Sequence, residues 1–382
     1  MKIVFISHSF YSPYFVVGSH HLARQLAGRG HTVWHISAIP FFHLINPSCH
    51  DYLIRFSRFF QGIINREANL KEAVIRPLLP WQVTRKLRDF GNLFVKLSDI
   101  GILTRTHPEL EEVDVLIIDE PRLRGIEAYI HASSIYYRPT DLYADTKNDP
   151  SIQNAEATLL AACKGLIATS EPVLERMLTL RATIPNLLLT NGVDADDFSS
   201  IHDEPQELRD IGRPRVVYVG AIDQRLDIAA IQFLAKRFPG VSFIIIGDGT
   251  RHEKMEAIAG DNVHVLGLVP HAQLSAYLQH CDVGILPLIK SHSNDGRSPL
   301  KIYEYGMSGL SVLASRTPEL DRRKENFIEL YSDYEEAAKG LQAMLSAPRN
   351  RGVIVGQSAG QSWSHKATLL ESFIAKTQSV SA

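Results

Sequence analysis

Ser298, Lys301 and Glu304 are spaced to grip an anion and a pair of hydroxyl groups. Ser298 suits a helix N-cap and Pro299 a first helical residue, so the spacing predicts a helix start whose backbone N–H groups face an anion. Lys301 adds a full positive charge in that first turn. Glu304 lies one turn on, on the same side, where an acceptor-only carboxylate would take hydrogen bonds from two sugar hydroxyls. Diphosphate plus ribose is a nucleotide. The same residues also make a plain capped amphipathic helix with an i,i+3 ion pair on its surface, so the surrounding sequence has to choose between the two.

The 382 residues exceed the usual size of one domain and favour two, each able to bury its own core. With 45% hydrophobic and 21% charged residues the chain reads as globular, and a net charge of -2 gives no bulk attraction to nucleic acid. Cys49, Cys163 and Cys281 are far apart and lack CxxC spacing, which points to neither a disulfide framework nor a zinc site and fits a reducing cytoplasm. The apolar run from Ile3 to Ile6 is too short for a signal-peptide core and reads as a first buried strand, and no run approaches the length of about 20 residues that crosses a membrane.

Short β-branched runs alternate with helical patterns twice over, the mark of βαβ units and parallel sheets. The first set of strands is predicted at 2–6, 32–37, 113–118, 134–137, 165–168 and 187–190, the second at 215–219, 242–246, 263–266, 282–286, 311–314 and 327–330. The polar stretch Ser199 to Pro214 reads as the linker, giving domains over 1–198 and 215–363. In the tail 364–382, Ala367, Leu370, Phe373 and Ile374 form a helical stripe whose own sheet is already complete, so it is expected to pack back on the first domain. The expected fold is α/β, two Rossmann-like domains facing a cleft, the place where such sheets bind ligands.

The second half resembles a nucleotide-sugar glycosyltransferase of the GT-B architecture. The resemblance rests on Asn191-Gly192-Val193-Asp194, Tyr218-Val219-Gly220-Ala221-Ile222-Asp223, Ile246-Gly247-Asp248-Gly249, the stretch from Asn262 to Gly267, Cys281 to Pro287, and Glu304 to Gly309. The large retaining group 1 family carries two glutamates separated by seven residues; Glu304 stands at the second position, but Gly296 occupies the first. The xanthan-type β-glucuronosyltransferase family, whose members act on a lipid-linked oligosaccharide, is similar in both halves, through His8-Ser9-Phe10-Tyr11-Ser12-Pro13, His20 to Gly30 and Tyr137-Arg138-Pro139-Thr140-Asp141. That resemblance implies an inverting transfer with Asp141 as catalytic base, Lys301 in the diphosphate motif, and Ile222 near the nucleotide. The loop from Pro287 to Ser298 departs from the family pattern where the transferred sugar is expected.

An inverting transfer needs a base for the acceptor hydroxyl and positive charge for the leaving diphosphate. Lys301 can supply the charge, and no metal-binding cluster is evident, so a metal-independent reaction without cofactor is expected. Asp141 follows a strand, where a carboxylate serves as a base or merely caps a turn. His20 and His21 open a helix, with one expected to face the cleft and the other solvent; both are rival bases, or surface and packing residues. Glu120, after the strand 113–118, is a further rival, with a turn role as its alternative. Gly220 and Gly247 suit close approach of the backbone to a nucleotide, or simply tight turns.

The segment 51–100 differs in character. Leu53, Phe56, Phe60, Ile63 and Ile64 fall on one helical face opposite Arg55, Arg58 and Arg66, and Val83, Leu87, Phe90, Phe94 and Leu97 repeat the pattern opposite Arg85, Arg88 and Lys96. Nine basic against five acidic residues give this segment a charge of +4 within a chain of -2. Basic amphipathic helices suit an anionic membrane surface, or are core-facing helices with solvated basic faces. The expectation is a cytoplasmic enzyme, peripheral on the inner face of the cell membrane, moving a sugar from a UDP-sugar to a lipid-linked glycan. A retaining group 1 transferase, a nucleotide-sugar epimerase and a non-catalytic nucleotide-binding partner are the alternatives.

Overall fold

A computed structural model of the chain describes residues 1–44, 52–86, 92–147, 149–247, 258, 260–323, 325–347 and 350–379. Leu87, Arg88 and Phe90 of the second amphipathic pattern lie outside the described residues, as do Asp248 and Gly249. The chain divides into two compact units. The first comprises Met1–Ser12, Val16–Thr190 and Lys366–Ala382, the second Pro13–Phe15 and Asn191–His365.

The first unit is built on an eight-stranded sheet of β1 (Lys2–Ser7), β2 (Thr32–Ala38), β3 (Ile64–Glu67), β4 (Leu70–Ile75), β5 (Glu112–Ile118), β6 (His131–Tyr137), β7 (Gly165–Ala168) and β8 (Asn186–Leu188), in the order β3-β4-β2-β1-β5-β6-β7-β8. All neighbours are parallel except β3 with β4. The continuous apolar runs explain this, because strands covered on both faces need no polar side. Ile3, Val4, Phe5 and Ile6 are all fully buried, and Ile6 pairs with Ile36 on one side and Ile118 on the other.

The segment 51–100 folds differently from its helical pattern. Tyr52–Phe60 is a helix, but Ile64–Glu67 and Leu70–Ile75 are strands, with β4 pairing along β2 from Leu70 to Ile75. Leu70–Ile75 lies between the two helical patterns and pairs with an existing sheet edge, as its β-branched Val74 and Ile75 favour. The basic face is only partly solvated: Arg66, Lys86 and Lys96 stay exposed, but others are drawn into ion pairs. Arg58 is buried and donates to Glu72, itself fully buried, which Arg66 and the Tyr11 N–H also hold. Arg76 pairs with Asp99, Arg85 with Asp149 and Lys71 with Glu109. The apolar residues Leu53, Phe56 and Phe60 are turned to solvent as well.

The helix Trp363–Ser379 completes the first unit. Phe373 stacks edge-on against Tyr136 of β6, and the Tyr136 hydroxyl lies 2.6 Å from Thr377 Oγ1. Glu371 binds both Arg29 and His31, at 2.6 and 2.7 Å. Gly165 of β7 leaves the room for Phe373, whose ring would lie 2.9 Å from any added Cβ.

The second unit holds a six-stranded parallel sheet of β9 (Arg215–Val219), β10 (Ser242–Ile246), β11 (Val263–Gly267), β12 (Val283–Leu286), β13 (Ser311–Ser315) and β14 (Ile328–Tyr331), in the order β11-β10-β9-β12-β13-β14. The stretch 199–214, read as a linker, is part of this unit. Leu208 is fully buried, and Arg215 at the start of β9 donates to the carbonyls of Leu208 and Ile211, tying the polar stretch onto the sheet. Phe198 and Val193 belong to the same core, so the chain joins the second unit at Asn191 rather than after it.

Candidate functional site

In the second unit Gly220 and Gly247 stand at the carboxyl ends of β9 and β10. The Gly220 N–H donates to the Ile246 carbonyl at 3.0 Å, and the Gly247 N–H to the Gly267 carbonyl at 2.8 Å. Gly247 has a φ of 152°, and a Cβ there would come within 1.8 Å of the Gly220 carbonyl oxygen. The demand for glycine is thus met within the chain, by one backbone lying against another. Ile222 is fully buried in the core around Val216 and Tyr218, so its side chain is a packing residue rather than a nucleotide contact.

The helix Lys301–Met307 is seated on this edge by Tyr305. Its hydroxyl accepts the Val219 N–H at 2.8 Å, and its ring lies over Gly284 of β12, where an added Cβ would come within 2.5 Å. Ser298 is not the N-cap of that helix. The first intrahelical bonds end on the Leu300 carbonyl, while the buried Ser298 hydroxyl accepts from the Asn191 N–H at 3.1 Å and from Arg323 at 3.0 Å. Those two donors outcompete the helix end for it, and the Asn191 amide also binds the Ser298 carbonyl at 2.6 Å.

Lys301 and Glu304 do meet, with Lys301 Nζ donating to Glu304 Oε2 at 2.7 Å. Glu304 is buried, and its Oε1 accepts from His271 Nε2 at 3.1 Å. Burial pushes the carboxyl up, but the Lys301 charge and the His271 hydrogen bond outweigh it and hold it well below the usual carboxylate range. Lys301 keeps 24% of its side chain exposed, so its charge can reach a ligand while Glu304 fixes its position. Each carboxylate oxygen retains a lone pair for a hydroxyl. His271 and Arg323 carried no sequence signal, since their partners lie 33 and 25 residues away along the chain.

In the first unit the candidates line the carboxyl ends of β1, β5 and β6. Asp141 is half-buried after β6; its Oδ1 accepts the Leu142 N–H at 3.0 Å and its carbonyl the Tyr143 N–H, so it opens the next helix. Glu120 is buried and taken by Arg122, which donates to both oxygens at 2.8 and 2.6 Å. Burial raises the Glu120 carboxyl, and Arg122 more than reverses that. Asp119 is fully buried against Arg138 at 2.9 Å, and burial still drives it up to about 6.

His20 and His21 are both buried, neither facing solvent. The Val17 N–H donates to His20 Nδ1 and His20 Nε2 donates to the Ser9 carbonyl, which fixes the neutral tautomer and uses its lone pair. Burial first, then His35 beside it, holds its imidazole well below the ordinary value. His20 is a packing residue, stacked 4.0 Å from Tyr11. Among the described residues no group of three or more His, Cys, Asp or Glu side chains is arranged to hold a metal.

Comparison with known proteins agrees with this arrangement. Residues 213–347 match the sequence model of the family described as glycosyl transferases group 1. The teichuronic acid biosynthesis glycosyltransferase TuaH of Bacillus subtilis (strain 168) is 27% identical over 146 residues, a match that spans only 37% of this chain and 37% of TuaH. Sucrose-phosphate synthase of Thermosynechococcus elongatus superposes with a TM-score of 0.68 at 17% identity, covering 99% of this chain and 98% of its own. Alr3699/HepE of Anabaena, solved in complex with UDP-glucose, superposes with a TM-score of 0.68 at 14% identity, covering the whole of both chains. Fold and sequence point the same way: the chain has the GT-B glycosyltransferase fold, and its residues 213–347 are similar to the group 1 glycosyltransferases.

Proposed function

We propose that the chain moves a sugar from a UDP-sugar to a lipid-linked glycan acceptor in bacterial surface-polysaccharide assembly, with inversion at the anomeric carbon and glucuronic acid as the candidate sugar. The observation that carries the nucleotide-sugar part is the Lys301–Glu304–His271 cluster within the group 1 domain, a partly exposed cation fixed beside a buried carboxylate. Lys301 would meet the leaving diphosphate and Glu304 the ribose hydroxyls. Support for UDP comes from HepE, whose structures contain UDP and UDP-glucose, and support for a surface polysaccharide from the named pathway of TuaH. The acceptor's proton would go to the carboxyl edge of the first unit, where Asp141 stands at the position that resembles a catalytic base.

Contact with lipid is supported by the exposed apolar face of the helix Tyr52–Phe60 and by the exposed Phe41 and Phe42, not by the arginines of that segment. Among the described residues no helix is long and apolar enough to cross a membrane. The match of residues 213–347 to the group 1 family favours a second reading, transfer with retention. Thermal-stabilisation screening of UDP- and GDP-sugars tests the donor, since a ligand that binds only the folded chain raises its melting temperature. The anomeric configuration of the product, read by NMR, separates inversion from retention. No stabilisation by any nucleotide sugar would sink the proposal.

A further inference from the structure

His8 is the one group at the carboxyl edge of the first sheet that combines an open side chain with ring nitrogens on which no hydrogen bond ends among the described residues. It directly follows β1, beside the residues that follow β5 and β6: the Asp119 N–H binds the Ile6 carbonyl at 2.8 Å and the Arg138 N–H binds the Ile118 carbonyl at 2.8 Å. His8 therefore lies level with Glu120, and Asp141 stands two residues past the same row. The charged groups around it are Glu120 and Arg122 from the turn after β5, and Arg138 and Asp141 from the end of β6. His20 and His35, from the flanking helix and strand, also face it.

By area His8 is exposed, yet protein surrounds it, as for a side chain in a recess open to water. That crowding, with the Arg138 and Arg122 charges, holds its imidazole below its ordinary value, and Glu120 and Asp141 oppose the shift without cancelling it. A neutral ring with a lone pair facing water is what a general base requires near neutral pH. Three neighbouring candidates are spent: Glu120 on Arg122, Asp119 on Arg138, and the His20 lone pair on Val17.

Resting on the transferase reading above, we propose that His8 takes the proton of the acceptor hydroxyl, with Asp141 stabilising the imidazolium that forms. The hydroxyl proton passes to a His8 ring nitrogen. The freed oxygen pair forms the bond to the anomeric carbon, and the bond from that carbon to the phosphate oxygen breaks, its electron pair leaving with the nucleoside diphosphate.

The test uses the full chain, UDP-glucuronic acid and UDP-glucose as donors, and a synthetic prenyl diphosphate-linked oligosaccharide as acceptor, with UDP release followed from pH 5 to 9. His8→Gln should lower kcat about 100-fold, with the donor KM and the melting temperature unchanged, and should abolish the fall in rate on the acid side of pH 6.5. Asp141→Asn should slow the reaction but keep that acid limb, shifted to lower pH because a charge that raises the His8 pKa is gone. Diethylpyrocarbonate should modify His8 faster than His20 or His35, by peptide mass mapping. Full activity of His8→Gln, or loss of the acid limb in Asp141→Asn alone, would overturn the assignment while leaving the transferase standing. A wild-type protein inactive with both donors and stabilised by neither would overturn the transferase reading and this assignment with it.

Discussion

Lys301 and Glu304 hold each other at 2.7 Å with His271 on the far oxygen, so the cation expected to meet a diphosphate is also the counter-ion of a buried carboxylate. Lys301→Ala should therefore have two effects. Affinity for UDP should fall by the worth of a charge-assisted contact, about 1.5–3 kcal/mol, with uridine affinity unchanged. The melting temperature should also drop, because Glu304 is left buried with less compensation. Adding Glu304→Gln should recover the stability and not the UDP affinity, a cycle read by calorimetry and thermal melts. Equal losses for UDP and uridine would remove Lys301 from the phosphate site.

The acid side of the stability curve should carry the same signature. The Glu304 carboxyl sits below its unfolded value of about 4.5, so it binds fewer protons folded than unfolded. Its contribution is complete above that pH and is lost as pH falls toward the folded value. Glu304→Gln should flatten the urea-unfolding free energy below pH 4.5.

Glu156 should behave in the opposite way. It is buried under the Tyr137 hydroxyl, and burial pushes its carboxyl from 4.5 up to about 7. It binds more protons folded than unfolded, so stability should fall as pH rises from 4.5 to 7. Glu156→Gln should stabilise the first unit at pH 8 by up to about 3 kcal/mol, since every tenfold gain in proton affinity on folding is worth about 1.4 kcal/mol. An unchanged slope between pH 4.5 and 7 would show that Glu156 stays ionised.

Much of the scaffold was legible, and the reasons are physical. Runs such as 243–246 and 216–219 are unbroken by charged residues and buried along their length, which only strands covered on both faces require. The burial of Arg58 was not legible, because a helical period shows that residues share a face and not whether that face is buried; Glu72, its partner, lies on a strand 14 residues away. Lys301 and Glu304 were legible because they are local, three residues apart on one helix. His271, Arg323 and His8 acquire their roles only when separate strands and loops are brought side by side.

The reversed face of the helix Tyr52–Phe60 changes the expected lipid behaviour. Leu53, Phe56 and Phe60 replaced together by Ser should weaken co-sedimentation with liposomes, and rising salt should matter little, because apolar insertion is not screened. Arg58→Gln should instead destabilise the fold, by as much as the roughly 3–5 kcal/mol of a broken buried pair, less whatever Arg66 still supplies. Binding lost to salt and spared by the triple substitution would restore an electrostatic surface.

Gly284→Ala should loosen the seat of the helix that carries Lys301. An added methyl would meet the Tyr305 ring at 2.5 Å, an overpacking worth about 1–3 kcal/mol. Urea unfolding measures the loss, and UDP affinity should fall with it even though no ligand-facing group has changed.

The helix that carries Phe373 and Thr377 follows the whole second unit in the chain, yet its partners are Tyr136, Arg29 and His31 of the first. During synthesis on the ribosome, the first unit must therefore wait, with β6 and β7 uncovered on that side, until the second has been made. The second unit faces no such delay for its sheet, since β9 to β14 emerge consecutively. The order of birth and the order of completion are thus inverted, and the apolar surface around Tyr136 and Gly165 is what a nascent-chain chaperone would find open in the interval.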